Sequence, residues 1–179
     1  GVGAALTRGG AVIVRPKFSV SNFWDEVVTY EATILVYVGE LCRFLLSSPV
    51  HPKENNHKIK WIIGNGLRPE VWAGFIERFN IKHVIEFYGA TEGNVSLMNI
   101  DGPIGAVGRV PSYLKSKFNC DIIKYDIEQG ENLRDSNGLC IRTENNEVGE
   151  LIGEIRQSDP RFRFEGYETS EATQKKILR

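Results

Sequence analysis

Short runs of apolar, mostly β-branched or aromatic residues recur along the first hundred positions, separated by stretches with helical spacing. Four such runs, at 11–14, 33–38, 59–63 and 83–87, predict buried strands. Continuous apolar runs, as opposed to alternating ones, are typical of strands covered on both faces. Because helical stretches lie between the runs, the pattern predicts an α/β fold with βαβ units around a parallel sheet flanked by helices.

The stretches between the runs carry helix signals. Ser21 is a suitable N-cap for a helix over 22–30, and the apolar spacing over 40–47 predicts a second helix. Pro69 stands where the first turn of a third helix tolerates proline. The polar, proline-containing segment 48–58 is interpreted as a surface loop. The predicted buried stripe of the third helix consists of Val71, Trp72, Phe75, Ile76 and Phe79.

The helical period disappears after Asp101, where glycine and proline separate short alternating segments. The segments at 120–127, 139–143 and 150–155 predict a smaller antiparallel β subdomain. The last eleven residues again have a helix-like, charged composition. The predicted parts are an α/β nucleotide-binding portion, a β-rich subdomain and a truncated helical end, at 1–100, 101–168 and 169–179.

Composition narrows the classes of function. The chain carries 22 Lys+Arg against 23 Asp+Glu, a net charge of −1, and has no run of five like charges, which argues against nucleic acid as a partner. The longest apolar stretch, 32–38, is too short to cross a bilayer. Three cysteines without a C-x-x-C pair favour a reducing compartment, so we expect the cytoplasmic side.

Two loops at predicted strand ends carry the candidate chemistry, because ligands of parallel sheets bind beyond the carboxyl ends of the strands. Gly64-Asn65-Gly66 follows the third run, and 88–94 follows the fourth. Tyr88 could stack on a purine, the Thr91 hydroxyl could donate to a phosphoryl oxygen, and Glu92 could bind Mg²⁺. Glycine, threonine and asparagine are also ordinary turn residues, so spacing alone leaves both interpretations open.

Other signatures of chemistry are missing from the sequence. It contains no G-x-x-x-x-G-K-[ST] phosphate loop and no G-x-S-x-G nucleophile motif. The segment 1–6 begins like a dinucleotide fingerprint but has Leu6 in place of the third glycine. His51, His57 and His83 lack the spacing of metal ligands.

The motif Tyr88-Gly89-Ala90-Thr91-Glu92 resembles that of the adenylate-forming enzymes. Further stretches, Val38-Gly39-Glu40-Leu41-Cys42-Arg43 and Gly64-Asn65-Gly66-Leu67-Arg68, are similar to one branch, the very-long-chain acyl-CoA synthetases, also called fatty acid transport proteins. The matching stretches keep the order of that family and run nearly from end to end of the chain. The resemblance implies a ligase that activates a carboxylate with ATP and transfers the acyl group to coenzyme A.

The same resemblance implies roles for individual residues. Gly64, Asn65 and Gly66 would lie along adenine and ribose, and Phe87 and Tyr88 would frame the base. The α-phosphate, where negative charge accumulates during displacement, would be approached by the next three residues. Glu92 would bind the Mg²⁺ that neutralises the phosphates. The three residues that would approach the α-phosphate are Gly89, Ala90 and Thr91. The border of the acyl pocket would be Val38, Gly39 and 93–95.

The resemblance leaves the substrate and the biological role open. A long- or very-long-chain fatty acid is the expected substrate. The alternatives are a bile acid or an aromatic carboxylate, or a protein whose main role is fatty acid uptake. Peripheral attachment to a membrane is a further expectation from the family, and the sequence does not specify an oligomeric state. Because the family's phosphate loop and catalytic Lys do not occur among these 179 residues, we expect the chain alone to be inactive.

Overall fold

A computed structural model describes residues 2–90, 93–160 and 162–178. In this part of the chain, helices and strands alternate from Val20 to Gly89, and three further strands lie after Asn99. The α-helices are α1 (Val2–Thr7), α2 (Val20–Thr29), α3 (Gly39–Leu46), α4 (Pro69–Arg78) and α5 (Ser170–Gln174), and a 3₁₀ helix spans Ser112–Lys117. The strands are β1 (Ile34–Val38), β2 (Trp61–Asn65), β3 (His83–Gly89), β4 (Ser96–Asn99), β5 (Cys120–Asp126), β6 (Glu131–Asn132) and β7 (Gly149–Gly153).

The first sheet has the strand order β1-β2-β3-β4. Strands β1, β2 and β3 pair in parallel, and their register places Tyr37 beside Gly64 and Gly64 beside Glu86. Helices α3 and α4 connect these strands, as the apolar runs predicted. The predicted α/β class with a parallel sheet flanked by helices is confirmed.

The core of this region lies between the helices and one face of β1–β3. Side chains alternate between the two faces of a strand. Tyr37, Ile62 and Val84 therefore face the same layer, where they are buried with aromatic residues of α2 and α4 such as Trp24 and Phe75. The predicted stripe of α4 is confirmed at its centre, since Val71, Trp72, Phe75 and Phe79 are buried and Ile76 packs against this core.

Two local predictions were wrong. The run 11–14 forms no strand, and Val12, Ile13 and Val14 are exposed, Val14 by 74% of its surface. An apolar run becomes a strand only when a neighbouring strand takes up its backbone hydrogen bonds, and no described strand pairs with this one. Helix α2 begins at Val20 after Ser19, so Ser21 lies inside the helix and is not its N-cap.

The later part of the chain contains a three-stranded sheet of order β6-β5-β7, in which both pairings are antiparallel. This confirms the predicted smaller antiparallel sheet. The predicted segment 139–143 contributes isolated bridges at Cys140 and Arg142 and not a full strand. At the end of the chain, α5 is capped by the Thr169 side chain and spans only Ser170–Gln174.

The chain divides into two compact units. The first comprises 1–87 and 98–109, and the second comprises 88–97 and 110–179. Strands β3 and β4 each contribute residues to both units. Within the described ranges, no helix is both long and apolar enough to span a bilayer.

Candidate functional site

A row of three residues crosses the first unit near the carboxyl ends of its parallel strands. Tyr37, Gly64 and Glu86 occupy adjacent register positions on β1, β2 and β3, and all three are buried. The Tyr37 hydroxyl donates a hydrogen bond of 2.5 Å to Oε2 of Glu86. A side chain of the outer strand thus reaches over the middle strand to a carboxylate that is only 2% exposed.

Gly64 makes this crossing possible. A Cβ atom at position 64 would lie 2.1 Å from the Tyr37 carbonyl oxygen and 2.7 Å from Cδ2 of the Tyr37 ring. Both distances are far inside van der Waals contact, so only glycine fits between Tyr37 and the sheet. Gly64 was predicted to face a nucleotide. Its buried position shows a packing role beneath the turn that follows it, and its place beside a nucleotide stays a prediction.

The turn after β2 is held closely against the start of α3. A Cβ atom at Gly39, the first residue of α3, would lie 1.8 Å from the Gly66 carbonyl oxygen. Gly66 has a φ of 75°, a conformation that glycine adopts without strain. Asn65 and Gly66 are exposed, whereas Leu67 is buried. The turn therefore offers its backbone and the Asn65 side chain to solvent from a fixed base.

Glu86 also holds the far side of this turn. Its Oε1 accepts a hydrogen bond of 3.1 Å from the backbone N–H of Leu67. Burial, together with the hydrogen bond to Glu86, raises the pKa of the Tyr37 hydroxyl well above its usual value, so Tyr37 stays a neutral donor. Burial, with a smaller contribution from the Glu86 charge, raises the pKa of the nearby Cys42 thiol to about 12.

The second unit contains the start of the predicted phosphate-binding segment. Tyr88 is 46% exposed and, with Ala90 and 93–95, lines an open cleft of about 1190 Å³. Gly89 ends β3 and is exposed. The described lining contains five cationic side chains and three carboxylates. These are Lys115, Arg142, Arg156, Lys175 and Lys176, and Asp121, Glu150 and Glu154.

Asn94 fixes the segment that follows the predicted phosphate residues. Its side-chain amide lies 3.4 Å from the Gly153 carbonyl oxygen, 3.0 Å from that of Glu154 and 3.4 Å from that of Phe162. Gly153, the last residue of β7, has room for no side chain, since a Cβ there would lie 2.4 Å from Cγ2 of Val95. One wall of the cleft is therefore tied to the antiparallel sheet.

Thr91 and Glu92, the predicted phosphate donor and Mg²⁺ ligand, lie outside the described residues. In the described part of the chain, no cluster of three or more His, Cys, Asp or Glu side chains could hold a metal ion. Phe87 is half-buried in β3 and belongs to the first unit with Gly64, Asn65 and Gly66. The acyl-pocket border at Val38, Gly39 and 93–95 stays a prediction.

The sequence analysis missed the pairing of Tyr37 with Glu86. A signal was present, because Glu86 is the one charged residue among the hydrophobic positions 84–88, in a strand predicted to be buried on both faces. A carboxylate in such a position requires hydrogen-bond donors. The identity of the donor could not be deduced, since Tyr37 is 49 residues away along the chain and becomes a neighbour only through the register.

Comparison with known proteins identifies relatives of this chain among the fatty acid transport proteins. Long-chain fatty acid transport protein 1 of Bos taurus is 45% identical over 99% of this chain, and long-chain fatty acid transport protein 2 of Rattus norvegicus is 44% identical over 100%. The chain covers 27% and 28% of these relatives, so it spans little more than a quarter of their length.

Solved structures share the fold. ATP-bound MatB from Rhodopseudomonas palustris matches 98% of this chain, which covers 31% of that protein, with a TM-score of 0.68 at 23% identity. The N-terminal domain of FACL13 from Mycobacterium tuberculosis matches 97% of this chain, which covers 40% of that protein chain, with a TM-score of 0.61 at 17% identity. Residues 1–153 match the AMP-binding enzyme family. The chain is therefore a member of the AMP-binding enzymes, as its motifs indicated.

Proposed function

We propose that the intact protein is an ATP-dependent ligase that converts a long- or very-long-chain fatty acid to an acyl-adenylate and then to acyl-CoA. Membership of the AMP-binding enzymes supports the adenylation step. The relatives named for long-chain fatty acids support the choice of acid. The observation that carries the proposal is the cleft of the second unit, which combines exposed Tyr88 with an excess of cationic side chains.

The chemistry of this reaction fits such a cleft. A carboxylate oxygen of the acid attacks the α-phosphorus of ATP, and the bond to the leaving pyrophosphate breaks. The sulfur of coenzyme A then attacks the acyl carbon and displaces AMP. Cationic side chains lower the cost of bringing an anionic acid to an anionic phosphate. In the proposal, Tyr88 stacks on the base, Gly89, Ala90 and Thr91 approach the α-phosphate, and the Glu92 carboxylate binds Mg²⁺, which neutralises phosphate charge.

The direct test is acid-dependent exchange of labelled pyrophosphate into ATP by the intact protein, with palmitate, lignocerate, benzoate and cholate compared. We expect exchange with the two fatty acids, about a hundredfold slower in Glu92→Ala. Glu128→Ala, which removes an exposed carboxylate from the turn after β5, is the matched control and should leave the rate unchanged. Exchange with benzoate or cholate alone would replace the fatty acid by another class, and no exchange with any acid would refute adenylation.

Fatty acid uptake is the second candidate, favoured by the transport names of the relatives. Cells that express the intact protein or Glu92→Ala separate the two roles when uptake of a labelled fatty acid and its conversion to acyl-CoA are both measured. Loss of both in Glu92→Ala means that uptake depends on the ligase. Full uptake with no thioester formation would establish transport as a separate activity.

A further inference from the structure

We propose that Tyr37 and Glu86 form a positioning pair that holds the turn Gly64–Leu67 in place for adenosine binding. This inference rests on the proposed function, because it assumes that the intact protein binds ATP, and on the expectation from the family resemblance that Gly64, Asn65 and Gly66 lie along adenine and ribose. The pair itself is defined by the hydrogen bond between the Tyr37 hydroxyl and Oε2 of Glu86. Neither residue is exposed enough to touch a ligand extensively, so the pair acts through the turn.

The first argument is the geometry of the row. Two strand spacings, about 10 Å in total, separate the backbones of Tyr37 and Glu86. The two side chains together span this distance above β2, and Gly64 leaves the space that the Tyr37 ring occupies. Glu86 then uses its second oxygen for the Leu67 N–H. One carboxylate thus joins the first strand, the third strand and the end of the turn from the second strand.

The second argument is the chemistry of the donors. Buried carboxylates are normally paired with a cation, since burying an unpaired charge is costly. Within the described residues, Glu86 has a phenol and a backbone amide as its hydrogen-bond donors and no ion pair. An apolar pair at positions 37 and 86 would avoid that cost. The polar pair is explained if the position of the turn matters more than stability.

The third argument is what the turn presents. Asn65 and Gly66 are exposed, and their neighbours along the chain, Gly64 and Leu67, are both buried. Gly39 closes the other side, because its backbone touches Gly66. A turn held at its base can keep backbone groups in one position for a ligand, and errors of about 1 Å in such positions reduce binding and rate strongly.

The test measures the intact protein and the variants Tyr37→Phe, Glu86→Gln and Glu86→Leu. Glu54→Gln is the matched control, because Glu54 is the other strongly buried carboxylate of the first unit, 5% exposed, and pairs with Arg78. The readouts are KM and kcat for ATP in pyrophosphate exchange, the Kd for ATP by calorimetry, the melting temperature, and hydrogen exchange of the Leu67 amide.

We expect Tyr37→Phe to raise the KM and Kd for ATP about fivefold with kcat within twofold, since one hydrogen bond is lost. Glu86→Gln, which keeps an acceptor for Leu67, should raise the KM and Kd for ATP about twofold, and Glu86→Leu should raise them more than about tenfold. Leu67 should exchange faster in Tyr37→Phe. Glu54→Gln should lower the melting temperature and leave the KM unchanged.

Two results would overturn the inference. Variants that lose thermal stability while the KM, the Kd and Leu67 exchange stay unchanged would reduce the pair to a structural contact. An equal rise in KM in Glu54→Gln would show that any loss of stability weakens binding. If the intact protein itself neither binds ATP nor exchanges pyrophosphate, the proposed function fails, and the pair then has no nucleotide to position.

Discussion

The first unit buries two carboxylates at opposite ends of α4, and it stabilises them by different means. Glu54 accepts hydrogen bonds from Nε and Nη2 of Arg78 at 3.1 and 2.9 Å and from the His51 backbone at 2.8 Å. Glu86 accepts from the Tyr37 hydroxyl and from the amide of Leu67, which lies just before α4 begins. One carboxylate has a cation as its partner, and the other has neutral donors.

The two carboxylates also join different parts of the unit. Arg78 lies in the last turn of α4 and also donates to the carbonyl oxygens of Leu46 and Ser48, so the ion pair joins the ends of two helices to the loop over 48–58. At the other end, the Tyr37 hydroxyl and the Leu67 N–H hold the turn at Asn65 through Glu86, and neither donor carries a charge.

The largest expected loss of stability comes from removing Arg78, the cation that pairs with Glu54. Arg78→Met leaves Glu54 buried without its partner and removes the donor to the carbonyl oxygens of Leu46, Ser48 and Pro49, so we expect the free energy of unfolding to fall by about 3–5 kcal/mol. Urea unfolding followed by tryptophan fluorescence measures it, with Arg43→Met as control, since the Arg43–Glu40 pair is exposed. A loss below about 1 kcal/mol would place Glu54 among ordinary surface ion pairs.

The next largest loss of stability concerns Gly64, which leaves room for Tyr37 to reach Glu86. Gly64→Ala would place a methyl group 2.1 Å from the Tyr37 carbonyl oxygen, so the strands must shift, at a cost of about 2–3 kcal/mol. Gly74→Ala in α4 is the control, because its Cβ would meet only the end of the Leu46 side chain, at 3.1 Å. Equal stability of the two variants in the same urea assay would contradict the crossing of Tyr37 over β2.

Acid pH should separate the two carboxylates. The hydrogen bond and charge of Arg78 lower the pKa of Glu54 below its usual 4.5. The unfolded chain therefore binds the proton first, and the stabilisation, present above pH 4.5, is lost as the pH falls through the folded pKa. We expect the melting temperature of Glu54→Gln to depend less on pH between about 5 and 3 than that of the wild type. Parallel curves would show that Arg78 does not hold this carboxyl ionised.

The smallest effect lies at the alkaline end and involves Tyr37. Its pKa is raised above the usual 10.0 by burial and by Glu86, so the folded state keeps the proton that the unfolded chain releases. The stabilisation is complete below pH 10 and is lost above it. Tyr37→Phe should therefore reduce the fall in melting temperature between about pH 9 and 11, with Tyr113→Phe, an exposed tyrosine, as control. An unchanged fall would argue against a buried neutral phenol.

The fold could be predicted from the sequence where local patterns coincide with burial. The runs of β1, β2 and β3 and the stripe of α4 carry their own periodicity, and they were confirmed. The run 11–14 has the same composition and is not a strand, because pairing depends on a partner that composition does not reveal.

The candidate site divides in the same way. The glycine turn and Tyr88 stand out as local motifs at strand ends. The contact between Tyr37 and Glu86 arises from the register of three strands, and the burial of Gly64 follows from that contact. Local sequence therefore shows which residues are available for chemistry, and the packing determines which of them face solvent.

The burial of Cys42 makes its thiol a reporter of opening in the first unit. The side chain is fully enclosed in α3, and its thiol, with a pKa of about 12, is a poor nucleophile at neutral pH, whereas Cys120 and Cys140 are only partly enclosed. Alkylation of Cys42 by iodoacetamide must wait until α3 leaves the core. The rate of that single modification, followed by mass spectrometry, would therefore measure how often this unit opens under native conditions.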